Sequence, residues 1–459
     1  MVDRKQIPPS WEVVKHSEIA EINPKLPFKN IDDNTEVSFL PMKLVEEEKN
    51  IFYLTEFRKY KDVKKGFTPF TNGDVIFAKI TPCMENGKCV VLHDLKNEVG
   101  FGSTEFHVSR PREGVIAKYI FYFIIQQQFR RIAESNMTGS VGQKRVPTLF
   151  FSEFEIPLPP FPEQRRIVSK IEELFSELDK GVESLKTAQQ QLKIYRQAVL
   201  KWAFEGRLTH ENVKDGKLPE GWKWVKLGEV LDFVGSGVTP KGGQEVYQKS
   251  GVIFIRSQNV YPNKLKLDDV AFISDEIDER MKRTRVKVND VLLNITGASI
   301  GRCAYVPENF PRGNVNQHVC ILRALQEKSF SKFLSSWLNS PNAQHEVMKT
   351  QGGATRQGLN YQQIRNLECV LPPILEQHQI VSEIEARLSV CDKLEETITT
   401  ALRQGDALRQ SILKKAFEGR LVEQDPNDEP ASKLLERIKA EKAAEQRNVY
   451  RKKRPTAPK

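Results

Sequence analysis

From Ile167 onward the apolar residues of this chain fall on an alternating four-and-three step. Ile167, Ile171, Leu174, Leu178, Leu185, Ala188, Leu192, Tyr195, Val199 and Trp202 keep the step, and Gly181 breaks it. Apolar residues spaced 3.5 apart on average return to one face of a helix, so the run reads as a heptad seam. It predicts one helix from Pro162 to Phe204, roughly 60 Å long at about 1.5 Å per residue. Prolines just before the first turn and Glu163 within it suit a helix start. The pattern then returns. Residues 372–421 repeat residues 159–208 at a constant offset of 213, without a gap and with about half the positions identical. The second copy keeps a looser seam of Ile380, Ile384, Cys391, Leu394, Ile398, Ala401, Leu408 and Ile412. Neither seam can bury itself alone, so the two helices are expected to pack on each other.

The duplication sets the rest of the chain into segments. Residues 1–158 and 213–371 form two globular heads, residues 159–212 and 372–424 form two rods, and residues 425–459 form a tail. The heads correspond only weakly. Trp11 in 8–22 stands opposite Trp222 in 218–233, and 72–80 (NGDVIFAKI) resembles 288–296 (VNDVLLNIT), each an Asp turn followed by an apolar strand pattern. His107 in TEFHV stands opposite His318 in NQHVC. Each head then carries a helical pattern, Ile116 to Ala133 and Phe330 to Met348, a loop of small residues, and a strand pattern ending in Leu-Pro-Pro. The heads therefore read as α/β or α+β domains of one fold whose surfaces have diverged. The tail has a linker at 425–430, a short helix from Ala431 to Ala444 and a basic stretch, Arg451 to Arg454. That end is expected either to stay solvated or to serve in docking or in phosphate binding.

Composition narrows the partners. The 459 residues carry 70 Lys and Arg against 60 Asp and Glu, a net charge of +10, which favours an anionic partner. Six cysteines at 83, 89, 303, 320, 369 and 391 contain no C-x-x-C pair, which predicts a reducing compartment rather than a disulfide framework. Charged residues within 1–30 predict no secretory signal, and no window approaches 18 uncharged apolar residues. A cytoplasmic chain with no membrane contact is expected.

Catalytic signatures are scarce. Phe233 to Gly237 resembles the FxGxG cofactor loop of amino-methyltransferases, and Leu158-Pro-Pro-Phe161 resembles their catalytic tetrapeptide. However, that tetrapeptide needs Asn or Asp to hold the target amine, and Leu158 cannot. No GxxxxGK[ST] or HExxH occurs, and the histidines are scattered. Binding chemistry is better represented. The loop 138–145 ends in Gln143, Lys144 and Arg145, and the loop 351–358 holds Thr355, Arg356 and Gln357. Glycine lets a backbone approach a phosphate closely, while Arg and Gln can make paired bonds to guanine and adenine edges. Lys79 and Thr81, Arg256, Ser257 and Asn259, and Asn294, Thr296 and Arg302 stand at strand ends or polar turns as further DNA-binding candidates.

Two copies of PPxxEQxxIVxxIE, two of AFEGRL, diverged heads opening on a Trp-containing strand and the paired glycine loops together resemble the specificity subunit of type I restriction–modification enzymes. The resemblance spans residues 8 to about 445. It implies two target-recognition domains joined by an antiparallel pair of long helices in a pseudo-two-fold repeat. It implies a DNA-binding, non-catalytic chain that reads a bipartite target in double-stranded DNA, one half per head, with helices that set the spacer. The implied partners are two modification subunits, held by the helices, and endonuclease/translocase subunits. No cofactor is expected in this chain; S-adenosylmethionine, ATP and magnesium belong to those partners. Two other readings remain open at this point, a degenerate DNA methyltransferase and a coiled-coil scaffold without nucleic acid.

Overall fold

The computed structural model describes the backbone at residues 7–28, 30–140, 142–214, 216–327, 329–350 and 358–453, and side chains there except at 243, 244 and 446–453. The chain divides into two compact units, Met1–Ser184 with Ala401–Lys459, and Leu185–Thr400.

In the first unit a four-stranded antiparallel sheet has the order Ala20–Ile22, Phe106–Pro111, Val75–Ala78, Cys89–Val91. Val75–Ala78 is apolar throughout and buried at every position, as a central strand covered on both faces must be. A second sheet runs Glu56–Lys59, Glu36–Leu40, Val99–Gly102, Thr68–Thr71, with a parallel pair at its centre. Glu12–Lys15 pairs antiparallel with Glu155–Leu158 where the head meets its rod.

The second unit repeats this plan. Its four-stranded sheet has the order Leu231–Ser236, Val319–Ala324, Asp290–Asn294, Cys303–Tyr305, and Lys223–Lys226 pairs with Glu368–Leu371. A three-stranded sheet of Ala271–Ile273, Val252–Ile255 and Gly313–Val315 again contains one parallel pair. One ion pair marks the same place in both. Arg110 grips Asp74 through Nε and Nη2 at 2.7 Å each, and Arg323 grips Asp290 at 2.7 and 2.8 Å. Both carboxylates also cap the turn that opens the strand, accepting from the Thr71 and Lys287 amides. This pair corrects the expected alignment of the heads. With Arg110 opposite Arg323, His107 falls opposite Cys320, and His318 falls opposite Glu105. The match between TEFHV and NQHVC was an accident of composition.

The rods are Phe161–Phe204 and Ile374–Phe417, 44 residues each. Gln164 and Gln377 are fully buried and explain their place in the repeat. Gln164 Oε1 accepts from the Ile116 amide at the start of helix Ala117–Ile124, and its Nε2 donates to the Gly114 and Pro159 carbonyls. Gln377 does the same with the Phe330 amide and the Pro372 carbonyl. Each rod ends in a left-handed glycine that no other residue could replace without strain. Gly206 has φ +79° and Gly419 φ +69°, and a Cβ there would lie 2.3 Å from Pro219 Cγ or Pro8 Cγ.

The rods pair antiparallel within each unit. In the first, Arg409 lies 4.3 Å over the Phe175 ring and pairs with Asp179. In the second, Arg196 pairs with Asp392 at 2.5 Å and Glu395 at 3.1 Å. Arg196 and Arg409, like Asp179 and Asp392, are the same positions of the repeat, so the two contacts are copies of each other. The observed seam differs from the expected one. Tyr195, Leu394 and Leu408 are 38%, 48% and 51% exposed. Val182 sits in the contact instead, against buried Gly405, and the two arginines face acids on the opposite rod. A heptad count cannot see that a charged residue enters the contact when the partner helix supplies its counter-ion.

Helix Ala431–Lys453 is longer than expected and docks on the first unit. Ala431, Leu434 and Ile438 join its core, Leu434 closing over Gly114. Among the described residues no helix is long and apolar enough to cross a membrane.

Candidate nucleic-acid interface

Beyond the central strand of the first head, three backbone segments run side by side. The Lys79 amide donates to Glu105 O at 2.9 Å, Val146 N to Lys79 O at 2.8 Å, and Thr81 N to Lys144 O at 3.1 Å. The glycine loop is therefore a tight hairpin, closed by paired bonds between Thr138 and Arg145 and pinned to the strand end through the Ile80–Arg145 bridge. Gly139 (φ +121°) and Gly142 (φ +79°) make its turn possible. His107 locks the hairpin's exit. Burial pulls its pKa down to about 4, so the neutral ring donates from Nε2 to Val146 O at 2.8 Å and accepts at Nδ1 from Asn23.

The second head pins its loop at the same place. Leu359 N donates to Ile295 O at 2.9 Å, Ile295 N to His318 O at 3.0 Å, and Thr296 bridges Gly358. This puts Arg145 opposite Gly358, and Gln143 and Lys144 opposite Arg356 and Gln357. Thr355, Arg356 and Gln357 lie outside the described residues.

The structure sorts the remaining candidates. Gln143 and Lys144 are exposed, and Lys79, Thr81 and Arg145 are partly exposed beside them. In the second head Arg302 is exposed and Arg256, Ser257 and Thr296 are partly so. Asn259 and Asn294, offered as DNA-binding candidates at strand ends or polar turns, are buried. Asn259 spends its amide on the Lys266 and Asp269 carbonyls and accepts from the Arg256 amide. Asn294 donates to Ser257 O at 2.8 Å and Ser299 Oγ at 3.1 Å. Both shape the loops that carry their neighbours. No sequence signal marks Tyr261, yet Lys266 lies 4.2 Å and Arg302 5.3 Å from its ring centroid. Only packing brings these two cations together.

The two methyltransferase-like motifs have structural explanations. Phe233 to Ser236 lie within a strand, and a Cβ on Gly237 would fall 1.7 Å from Val315 O. Leu158 is a fully buried strand residue.

A family model described as the type I restriction modification DNA specificity domain matches residues 8–189 and again 219–404. Each match takes in one head and about two thirds of a rod. This chain belongs to that family. The type I restriction enzyme EcoAI specificity subunit of Escherichia coli is 28% identical over 498 residues, covering 89% of this chain and 83% of that protein. The EcoBI specificity subunit of Escherichia coli is 34% identical over 331 residues, covering 67% and 68%. Among solved structures, a chain from work on complex assembly and conformational transition of the type I R-M system gives a TM-score of 0.72 at 22% identity, covering 90% of this chain and 99% of that one. The HsdS subunit from Thermoanaerobacter tengcongensis gives 0.61 at 22%, covering 90% and 98%. At that identity the structural matches speak for the fold. Within a specificity-family chain the contrast between the heads acquires a meaning: the pinned backbone is shared, while the side chains it presents differ at nearly every position.

Proposed function

We propose that this chain is the DNA-specificity subunit of a type I restriction–modification complex in the cytoplasm. The head within 1–158 reads one half of a bipartite double-stranded DNA target, and the head within 213–371 reads the other. Gln143, Lys144, Arg145, Lys79 and Thr81 face DNA in the first head. Arg256, Ser257, Thr296, Arg302, Thr355, Arg356 and Gln357 face it in the second. Arg and Gln among them suit base edges, and Lys suits phosphate. The rods at 159–212 and 372–424 set the spacer and hold two modification subunits. Methylation with S-adenosylmethionine, and ATP- and magnesium-dependent cleavage by endonuclease/translocase subunits, belong to those partners.

The observation that carries this reading is one backbone scaffold, present twice on duplicated rods, with different side chains at the same pinned loop. A duplicated catalyst would keep its reacting groups in both copies, whereas a duplicated reader must vary them to recognise two sequences. The test is to exchange residues 1–158 for the head of another specificity subunit and map methylated bases in host DNA. One half of the methylated motif should change and the other persist. Change in both halves at once would refute modular reading.

A further inference from the structure

We infer that Glu105 and Arg145 form a base-reading pair, in which the remaining N–H groups on Nη1 and Nη2 of Arg145 take O6 and N7 of a guanine in the first half-site and Glu105 holds the side chain in position. The inference rests on the DNA reading proposed above and adds to it a residue, Glu105, that carries the wrong charge for DNA.

The geometry is specific. Arg145 Nε donates to Glu105 Oε2 and Nη2 to Oε1, both at 2.9 Å, and Nη1 donates to Gln143 O at 3.0 Å. Those bonds use three of the five guanidinium N–H groups. Among the described residues nothing accepts from the remaining N–H of Nη1 or of Nη2, the two terminal nitrogens of the guanidinium. The Arg145 side chain is 42% exposed and Glu105 24%. A planar fork of this kind matches the two acceptors of guanine in the major groove.

Charge argues in the same direction. An arginine already neutralised by a carboxylate has little attraction left for a phosphate, and the adjacent carboxylate repels one. Its directional bonds remain, and these can read a base. Both residues also stand on the pinned scaffold, Glu105 O accepting from Lys79 N and Arg145 bridging Ile80 and Thr138, so little side-chain freedom remains to be lost on binding. The second head keeps this scaffold but holds His318 and Gly358 at the two positions. The pair thus sits where the two readers differ.

The experiment uses the complex assembled with its modification subunits. Methylation is compared on targets altered one base at a time, for wild type, Arg145→Lys, Arg145→Ala and Glu105→Gln. Both arginine variants should lose about 10- to 100-fold discrimination at one guanine of the first half and none in the second half. Glu105→Gln frees the guanidinium to seek phosphate. It should reduce discrimination at that same guanine, raise affinity for unrelated DNA, and steepen the salt dependence by about one counter-ion. Unchanged discrimination in Arg145→Lys would overturn the inference, as would unchanged selectivity and salt slope in Glu105→Gln. Loss of all methylation in all three variants, with lowered melting temperatures, would place the pair in the fold instead and also overturn it. A wild-type complex that methylates no bipartite motif would refute the proposed function rather than the pair.

Discussion

Gln164 offers the most direct test of how the repeat holds head to rod. Replacing it with alanine removes the acceptor of the Ile116 amide and the donor to the Gly114 and Pro159 carbonyls, at 3.0, 3.3 and 3.1 Å. In the intact protein the site is fully buried. A buried amide left without a partner costs about 1–3 kcal/mol, and the stranded carbonyls and lost packing bring the total to roughly 2–4 kcal/mol. The loss should be local, because the broken bonds join helix Ala117–Ile124 to the start of helix Phe161–Phe204 in one unit. Hydrogen exchange read by mass spectrometry can resolve it. At about 1.4 kcal/mol per tenfold, amides of 117–124 and 161–171 should exchange roughly 30- to 1000-fold faster. Gln377→Ala should leave those peptides alone and expose Ser331–Leu338 and the start of Ile374–Phe417, since its bonds run to Phe330 and Pro372. Unaltered protection in 117–124, or equal loss in both units from either variant, would refute this account of the repeated glutamine.

The remaining predictions concern acid and DNA. Burial lowers the pKa of His16 and of His107 from 6.5 to about 4, so the unfolded chain binds these two protons first as pH falls. Stability of the first unit should be full above about pH 6.5 and decline toward pH 4, by up to about 3 kcal/mol per ring; denaturation profiles that coincide at pH 7 and pH 4.5 would disprove it. Arg356→Ala should weaken specific DNA binding by the assembled complex by about 1–3 kcal/mol if that side chain reads a base, measured at fixed salt. An unchanged dissociation constant would return its loop to a plain glycine turn.

Much of this protein is legible because a duplication is a one-dimensional fact. A 213-residue offset exposes the rods, and a heptad step gives their length, since both signals are local in the chain. The same locality marks the terminal glycines, the Pro-Pro starts and the Asp turns that open Val75–Ala78 and Asp290–Asn294. Register across the sheet is another matter. His107 and His318 share neighbours in sequence, but an Arg–Asp pair formed across two strands sets the true alignment, two residues away. Whether an asparagine at a strand end faces outward also depends on partners far along the chain, and Asn294 turned inward because Ser257 O was there to accept its bond. The same holds for Arg196, an unremarkable charge in the sequence that enters the rod contact because Asp392 and Glu395 meet it. Glu105 and Arg145, 40 residues apart, become a pair only when three strand ends are laid side by side. Periodicity and repetition therefore determined the architecture. Tertiary packing decided which side chains are spent inside the protein and which remain at its surface, because a hydrogen bond or ion pair exists only where both of its partners have been brought within reach.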